Sequence, residues 1–300
     1  MLINLHEKRK GGVKDIKILI LGSSGVVGSH LVKELRKAHE VIGVAKSSES
    51  ADVKLDVKDE EELEKLIEGL EPEVVVNCVK PALSTDKMEE EKELSYELNA
   101  ALPERLAKLQ RKYKYKLVQI STDWVYEGKK GKQYNESSPL IAKNYYSETK
   151  LEAEKKIQKH AADYLIIRTE GVFGIDDKGT NIFLRLKKRA EHKEPMSVPT
   201  DQFSQPIYGG ELARVIRVLI EKDAKGIFNV VGPQYVSRYE FACELCKAFE
   251  WQCELRAFSI SGRKIDVPRN LEVDISKVEA IVGKIKSLDE QIEMLKEEIG

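Results

Sequence analysis

The stretch "IKILILGSSGVVGSHL", residues 16–31, constrains this chain more than any other. An apolar run short enough for a buried parallel strand passes directly into glycines at 22, 25 and 28, and then into a helical repeat. Glycine at these points permits a tight turn, close backbone approach to a diphosphate, and close packing of helix on strand. Free N–H groups at the start of that helix then face an anion. A glycine triplet alone is weak evidence, but its setting between strand and helix makes it strong. The plainer alternative is a structural turn in a sheet that holds no nucleotide.

The rhythm continues downstream. "EVIGVA" reads as a second strand, "DEEELEKLIEGLEP" as a helix with acids at its dipole-favoured start, and "EVVVNCV" as a third strand. A helix over "LSYELNAALPERLAKLQRK", a strand "YKLVQIS", a helix "NYYSETKLEAEKKIQKHA" and a strand "DYLIIRT" follow. Such alternation predicts an α/β fold, a doubly wound parallel sheet of the Rossmann type with a small mixed C-terminal substrate lobe. Residues 1–14 read as a loose tail and 15–173 as the dinucleotide-binding domain, with a return at 207–231. Residues 174–206 and 232–300 read as the lobe. Three hundred residues suffice for this arrangement.

A net charge of -1 gives no sign of a nucleic-acid or membrane partner, and no apolar run is long enough to span a bilayer. With four cysteines and no secretory pattern, a reducing cytoplasm is expected. Cys243 and Cys246 form C-x-x-C near Cys253, but no histidine lies close enough to complete a zinc site. They read as a buried helix face, and no metal is expected.

The second strand ends "VAKSS", where an acid for a ribose 2′-OH is usual. Lys46 and Ser47 suit a 2′-phosphate better, which favours NADP(H) over NAD(H), although a solvated surface lysine would read the same. Asp56 and Val57 suit the loop flanking an adenine, or a simple turn. Tyr146 and Lys150, at i and i+4, share one helix face. Chance supplies that spacing in many helices.

Several ordered motifs resemble the dTDP-4-dehydrorhamnose reductase (RmlD-like) family of extended short-chain dehydrogenases/reductases, over about Ile16 to Gly283. "QISTDWVYEG" is similar to its S-T-D-Y-V-F-D-G, "NYYSETKLEAE" to Y-G-x-T-K-L-x-G-E, "IIRTEGVFG" to L-R-T-S-W-V-Y-G, and "PRNLEVDISK" to R-P-x-N-S-x-L-D-x-x-K. The resemblance implies reduction of a nucleotide-sugar ketone, with Tyr146 as acid, Lys150 favouring the phenolate and holding the nicotinamide ribose, and Thr122 fixing the carbonyl. It implies cofactor contacts from Gly22, Ser24, Gly25, Val26, Val27, Gly28, Lys46, Ser47, Asp56, Val57, Cys78, Val79, Lys80, Asn99, Tyr146 and Lys150. Arg185 and Arg269 are candidates for the substrate diphosphate. Taken singly, Tyr146 also reads as a packing aromatic, Lys150 as a surface lysine and Thr122 as a turn cap.

The chain departs from the family pattern at Lys80 and Pro81, at Ile207 in place of a threonine, at Trp124 in place of tyrosine, and at Ser147 in place of glycine. These changes are expected to alter the substrate pocket and spare the Tyr–Lys pair. Alternatives are a nucleotide-sugar epimerase, a reductase of another ketosugar, or a non-catalytic NADP-binding subunit like the regulatory subunit of methionine adenosyltransferase. A homodimer through the exposed C-terminal helix stays open.

Overall fold

The computed structural model describes residues 15–300; the tail expected at 1–14 lies outside them. Seven strands make the central sheet: β1 (Lys17–Leu21), β2 (Glu40–Ala45), β3 (Val53–Lys54), β4 (Val74–Asn77), β5 (Lys116–Thr122), β6 (Tyr164–Thr169) and β7 (Gly226–Asn229). Their spatial order is β7-β6-β5-β4-β1-β2-β3, and every neighbouring pair is parallel. The chain therefore winds outward in two directions from the seam between β1 and β4. At such a seam the connecting loops diverge and leave a crevice at the carboxyl ends of the strands.

Helices cover both faces: α1 (Val26–Leu35), α2 (Glu60–Leu70), α3 (Thr85–Glu90), α4 (Lys92–Tyr96), α5 (Leu102–Tyr113), α6 (Tyr145–His160), α7 (Ile182–Glu191), α8 (Gly209–Glu221), α9 (Arg238–Ala248), α10 (Ser276–Val282) and α11 (Leu288–Ile299). Strand alternation sorts the two cores. Ile18 and Ile20 pack with Leu31 and Leu35 of α1 and with Leu212, Ile216 and Leu219 of α8. Leu19 and Leu21 point the other way, into Leu63 and Ile67 of α2, Leu106 of α5 and Ile157 of α6. The doubly wound sheet expected from the sequence is thus present.

Three local features differ from expectation. The helix over "LSYELNAALPERLAKLQRK" is interrupted by a π-helical turn at Glu97–Ala101. Pro103 lacks the N–H that would bond the carbonyl of Asn99, so the preceding turn widens. Strand β7, which the sequence pattern did not single out, lies beside β6 at the edge of the sheet. The C-terminal helix α11, expected to be exposed, buries Leu288, Ile292 and Leu295 in the core shared with α7 and α9, and Gln291 against Tyr208, whose N–H its Oε1 accepts at 2.7 Å.

A further core unites Trp124, Val125, Tyr126 and Tyr134 with Val231, Ile260, Val267, Leu271 and Val273. It seats the C-terminal segment beside the end of β5. Cys246 is buried and Cys243 exposed, so the C-x-x-C straddles two sides of α9 rather than forming one buried face. Among the described residues no helix is long and apolar enough to cross a membrane.

Leu19 is wholly buried between β2 and β4. Leu19→Ala is expected to lower the unfolding free energy by about 2–5 kcal/mol, measured by denaturant titration.

Candidate active site

The glycine turn closes as its sequence requires. Gly22 has φ +81°, and a Cβ there would lie 3.0 Å from the backbone of Cys78 and Val79, at the end of β4. A Cβ on Gly28 would lie 2.3 Å from the Gly22 carbonyl, so α1 packs against the turn with no room for a side chain. Gly25 differs: a Cβ there would meet only the Gly22 carbonyl, at 3.8 Å. Gly25 is also the N-cap of α1, without a side-chain cap, and the first turn of α1 carries no acid. A helix start with uncapped N–H groups, no anion of its own and open space beside its middle glycine fits a dinucleotide diphosphate.

Around that turn, Ser24 is buried while Val26 and Val27 are half-buried. Lys46 and Ser47 are exposed beyond β2, and Lys46 Nζ lies 2.8 Å from Asp56 Oδ2. Lys46 is therefore not a bare surface charge. Its bond holds the Asp56 carboxyl below the usual range, with further help from Lys58. Val57 is buried in the α2–α5 core, with its carbonyl accepting from Arg105 Nη1. Cys78 and Val79 are half-buried at the end of β4, next to Gly22, and Lys80 is exposed. Asn99 is buried in the π turn, where its amide donates to Thr149 Oγ1 of α6 at 3.2 Å and its Oδ1 lacks a partner.

The three proposed catalytic residues converge. Helix α6 starts with a capping box: Asn144 Oδ1 accepts from the Ser147 N–H at 3.0 Å, and Ser147 Oγ accepts from the Asn144 N–H at 3.2 Å. Tyr146 thus sits in the first, pinned turn. Its phenol lies beside the Thr122 side chain at the end of β5, a neighbour that favours the phenolate. Thr122 Oγ1 accepts from the Trp124 N–H at 3.2 Å, which leaves its proton free to donate. Trp124 packs edge-on against the Tyr146 ring, centroids 5.8 Å apart. Burial pushes the phenol up to about 12, although Thr122 works the other way.

Lys150 lies one turn on, with Nζ donating to the Ile120 carbonyl at 2.5 Å. Burial pulls its ammonium down to about 8, opposed by the Glu154 carboxylate. Among the described residues its hydrogen bond is thus to the β5 backbone. A phenol donor with a hydroxyl partner and an adjacent ammonium is equipped to protonate a carbonyl oxygen as charge develops there.

Ile207 and Ser147, two of the departures from the family pattern, have roles in the scaffold. Ile207 pairs with Val172 in a short parallel bridge and is wholly buried in the α1–α8 core. Ser147 completes the capping box. Arg269 is 3.6 Å from Asp201, and Arg185 is exposed near Arg238. A pocket of about 230 Å³ lies between Ile260 and Arg269, with Arg263, Lys264 and Arg269 on its walls. It reaches α6 through Asn144 Nδ2, which donates to the Asp266 carbonyl at 2.9 Å. Sequence reading also passed over Asp123, Glu170 and Arg238. Their only signals were their positions immediately after catalytic or strand-end motifs.

The family model described as "RmlD substrate binding domain" matches residues 16–298. The chain belongs to this family. A dTDP-4-dehydrorhamnose reductase of Escherichia coli (strain K12) is 30% identical over 233 residues, covering 76% of each chain. Methionine adenosyltransferase 2 subunit beta of Danio rerio is 25% identical, covering 90% of this chain and 86% of that one. The crystal structure of a Bacillus anthracis dTDP-4-dehydrorhamnose reductase in complex with NADP superposes with a TM-score of 0.85 at 23% identity, covering 95% of this chain and all of that one. The last likeness is one of fold.

Glu154, two turns beyond Tyr146, is wholly buried and 2.6 Å from Arg168 Nη2. Glu154→Ala strands that guanidinium and is expected to destabilise the chain by about 3–5 kcal/mol in thermal or denaturant unfolding. Glu154→Gln, which keeps the shape, is expected to cost less.

Proposed function

We propose that this chain reduces the keto group of a nucleotide-linked 4-keto-6-deoxy sugar, dTDP-4-dehydrorhamnose, with NADPH as its reductant. The observation that carries the reading is the Tyr146 phenol beside the Thr122 hydroxyl with Lys150 one helical turn away. It stands at the carboxyl end of β5, in the same sheet as the glycine turn. The family membership and the Escherichia coli relative support the same chemistry.

When bound, the dinucleotide supplies a hydride to the carbonyl carbon. Thr122 and Tyr146 orient the carbonyl oxygen, and Tyr146 gives it a proton as negative charge builds. Lys150 offsets the charge left on the phenolate. The uncapped start of α1 takes the cofactor diphosphate, and Lys46 with Ser47 takes the 2′-phosphate. The basic pocket of Arg263, Lys264 and Arg269 takes the diphosphate of the sugar nucleotide. In this division, 15–173 with 207–231 holds the cofactor and the remaining segments hold the sugar.

The regulatory-subunit reading has one point in its favour, the likeness to the Danio rerio subunit. The intact Thr122–Tyr146–Lys150 set speaks for catalysis.

Following NADPH absorbance with dTDP-4-dehydrorhamnose, oxidation is expected with the unaltered chain and a loss of at least about 100-fold with Tyr146→Phe. Tight NADPH binding without turnover on any ketosugar would favour the regulatory role. The ammonium of Lys150 is present below its titration near 8 and lost above it. Turnover should therefore fall as pH rises through that value. Lys46→Ala should cut the NADPH over NADH preference by about tenfold or more, as expected for one lost phosphate contact of roughly 1.4 kcal/mol. An unchanged ratio would remove Lys46 from the cofactor site.

A further inference from the structure

Strands β5 and β6 pair Thr122 with Thr169, so Asp123 and Glu170 leave adjacent strand ends side by side. Asp123 is 1% exposed and Glu170 8%. Neither carboxylate oxygen of Asp123 has a hydrogen-bond partner, and Glu170 Oε2 lacks one too. Arg238, the first residue of α9, donates its Nη2 to Glu170 Oε1. Arg238 bonds Glu170 and not Asp123, which leaves the Asp123 charge unpaired in a buried place, where an unpaired carboxylate is costly. Holding one proton removes it, as in any close carboxyl pair. Arg238 grips Glu170, and Asp123, with no donor at hand, takes the proton. Burial, then the Glu170 anion, raises the Asp123 carboxyl well above its ordinary range, while Arg238 opposes.

The groups facing Asp123 are Tyr146 from α6, Glu170 from the end of β6 and Arg238 from α9, with Arg185 of α7 beside Arg238. The Asp123 and Glu170 charges both bear on Tyr146 and disfavour its phenolate. An anion at Asp123 would likewise oppose the negative charge that builds on a carbonyl oxygen beside Thr122 and Tyr146.

We propose that Asp123 is a positioning residue held as a neutral carboxylic acid by the Glu170–Arg238 pair, and that this neutrality lets Tyr146 serve as an acid. The kinetic part of the proposal rests on the reductase reading, whereas the protonation state does not.

Infrared spectroscopy of the full chain carrying ¹³C-carboxyl aspartate tests the protonation directly. At neutral pH a protonated-carboxyl stretch is expected that Asp123→Asn lacks. Glu170→Gln removes the neighbouring anion and frees Arg238 for Asp123, so this titration should move down by about one pH unit or more. In turnover, Glu170→Gln should then lose rate, about tenfold per unit of displaced titration, where the unaltered chain is still at its plateau. The fall set by Lys150 should stay in place. The proposal is overturned if the unaltered chain shows no protonated Asp123 at neutral pH, or if the pH–rate profile of Glu170→Gln superimposes on the original. A chain that turns over no ketosugar defeats the reductase reading, and the spectrum still decides the state of Asp123.

Discussion

The active-site geometry depends on one buried ion pair. Arg168 of β6 meets Glu154 of α6 through Nη2 at 2.6 Å and Nε at 3.1 Å, and both side chains are essentially closed to solvent. Ser121 of β5 adds its hydroxyl to the same carboxylate at 2.5 Å. On its other side Arg168 donates to the Tyr126 hydroxyl at 2.8 Å, and Tyr126 donates to Asn229 of β7 at 2.9 Å. Three strands and one helix are thus joined by bonds that tolerate little displacement. A buried ion pair is a poor source of net stability, because desolvation offsets most of the attraction. What it supplies here is registry, since α6 has only one position in which Glu154 is fully satisfied.

Registry matters because Tyr146 and Lys150 are carried on that helix while Thr122 is carried on the strand. The capping box at Asn144 and Ser147 holds the front of α6, and Glu154 holds it two turns further on. Between these anchors the phenol meets the threonine hydroxyl and the ammonium meets the Ile120 carbonyl. A shift of one residue would turn the phenol about 100° away around the helix. The departures from the family pattern fit this scaffold. Ser147 supplies an oxygen that glycine lacks at the cap, Trp124 supplies a larger edge against the Tyr146 ring, and Ile207 fills core volume.

Much of this was legible in the sequence, for identifiable reasons. Buried parallel strands appear as unbroken apolar runs, and the glycine turn has few conformations open to it, so β1, α1 and the doubly wound order could be read directly. Tyr146 and Lys150 were legible because helical spacing is strict. Strand β7 was hidden, since four residues after a helix carry little periodic signal. The π turn at Glu97–Ala101 follows from Pro103, whose missing donor matters only once the helix is seen to continue through it. Asp123 was hidden for a different reason. In sequence it is one more acid after a strand, the commonest of turn residues. Only the pairing of Thr122 with Thr169 brings it against Glu170, some fifty residues away, and only burial gives that pairing chemical weight.

The same burial acts on several titratable groups of this site, in opposite chemical senses. It raises Tyr146 and Asp123, which are neutral when protonated, and lowers Lys150, which is charged when protonated. A dry site left to itself would therefore tend toward neutral phenol, neutral acid and neutral amine. Glu154 counteracts this at Lys150, favouring the ammonium from one turn away, although Arg168 takes up much of its charge. Nothing among the described residues donates a hydrogen bond to the Asp123 carboxyl oxygens. In the proposed reaction, charge is thus maintained at the lysine, where a developing phenolate needs it, and withheld at the aspartate, where it would oppose the oxyanion. The separation follows from placement. The carboxylate that supports Lys150 sits beneath the helix, and the one that keeps Asp123 neutral sits at the strand ends, each with its own arginine.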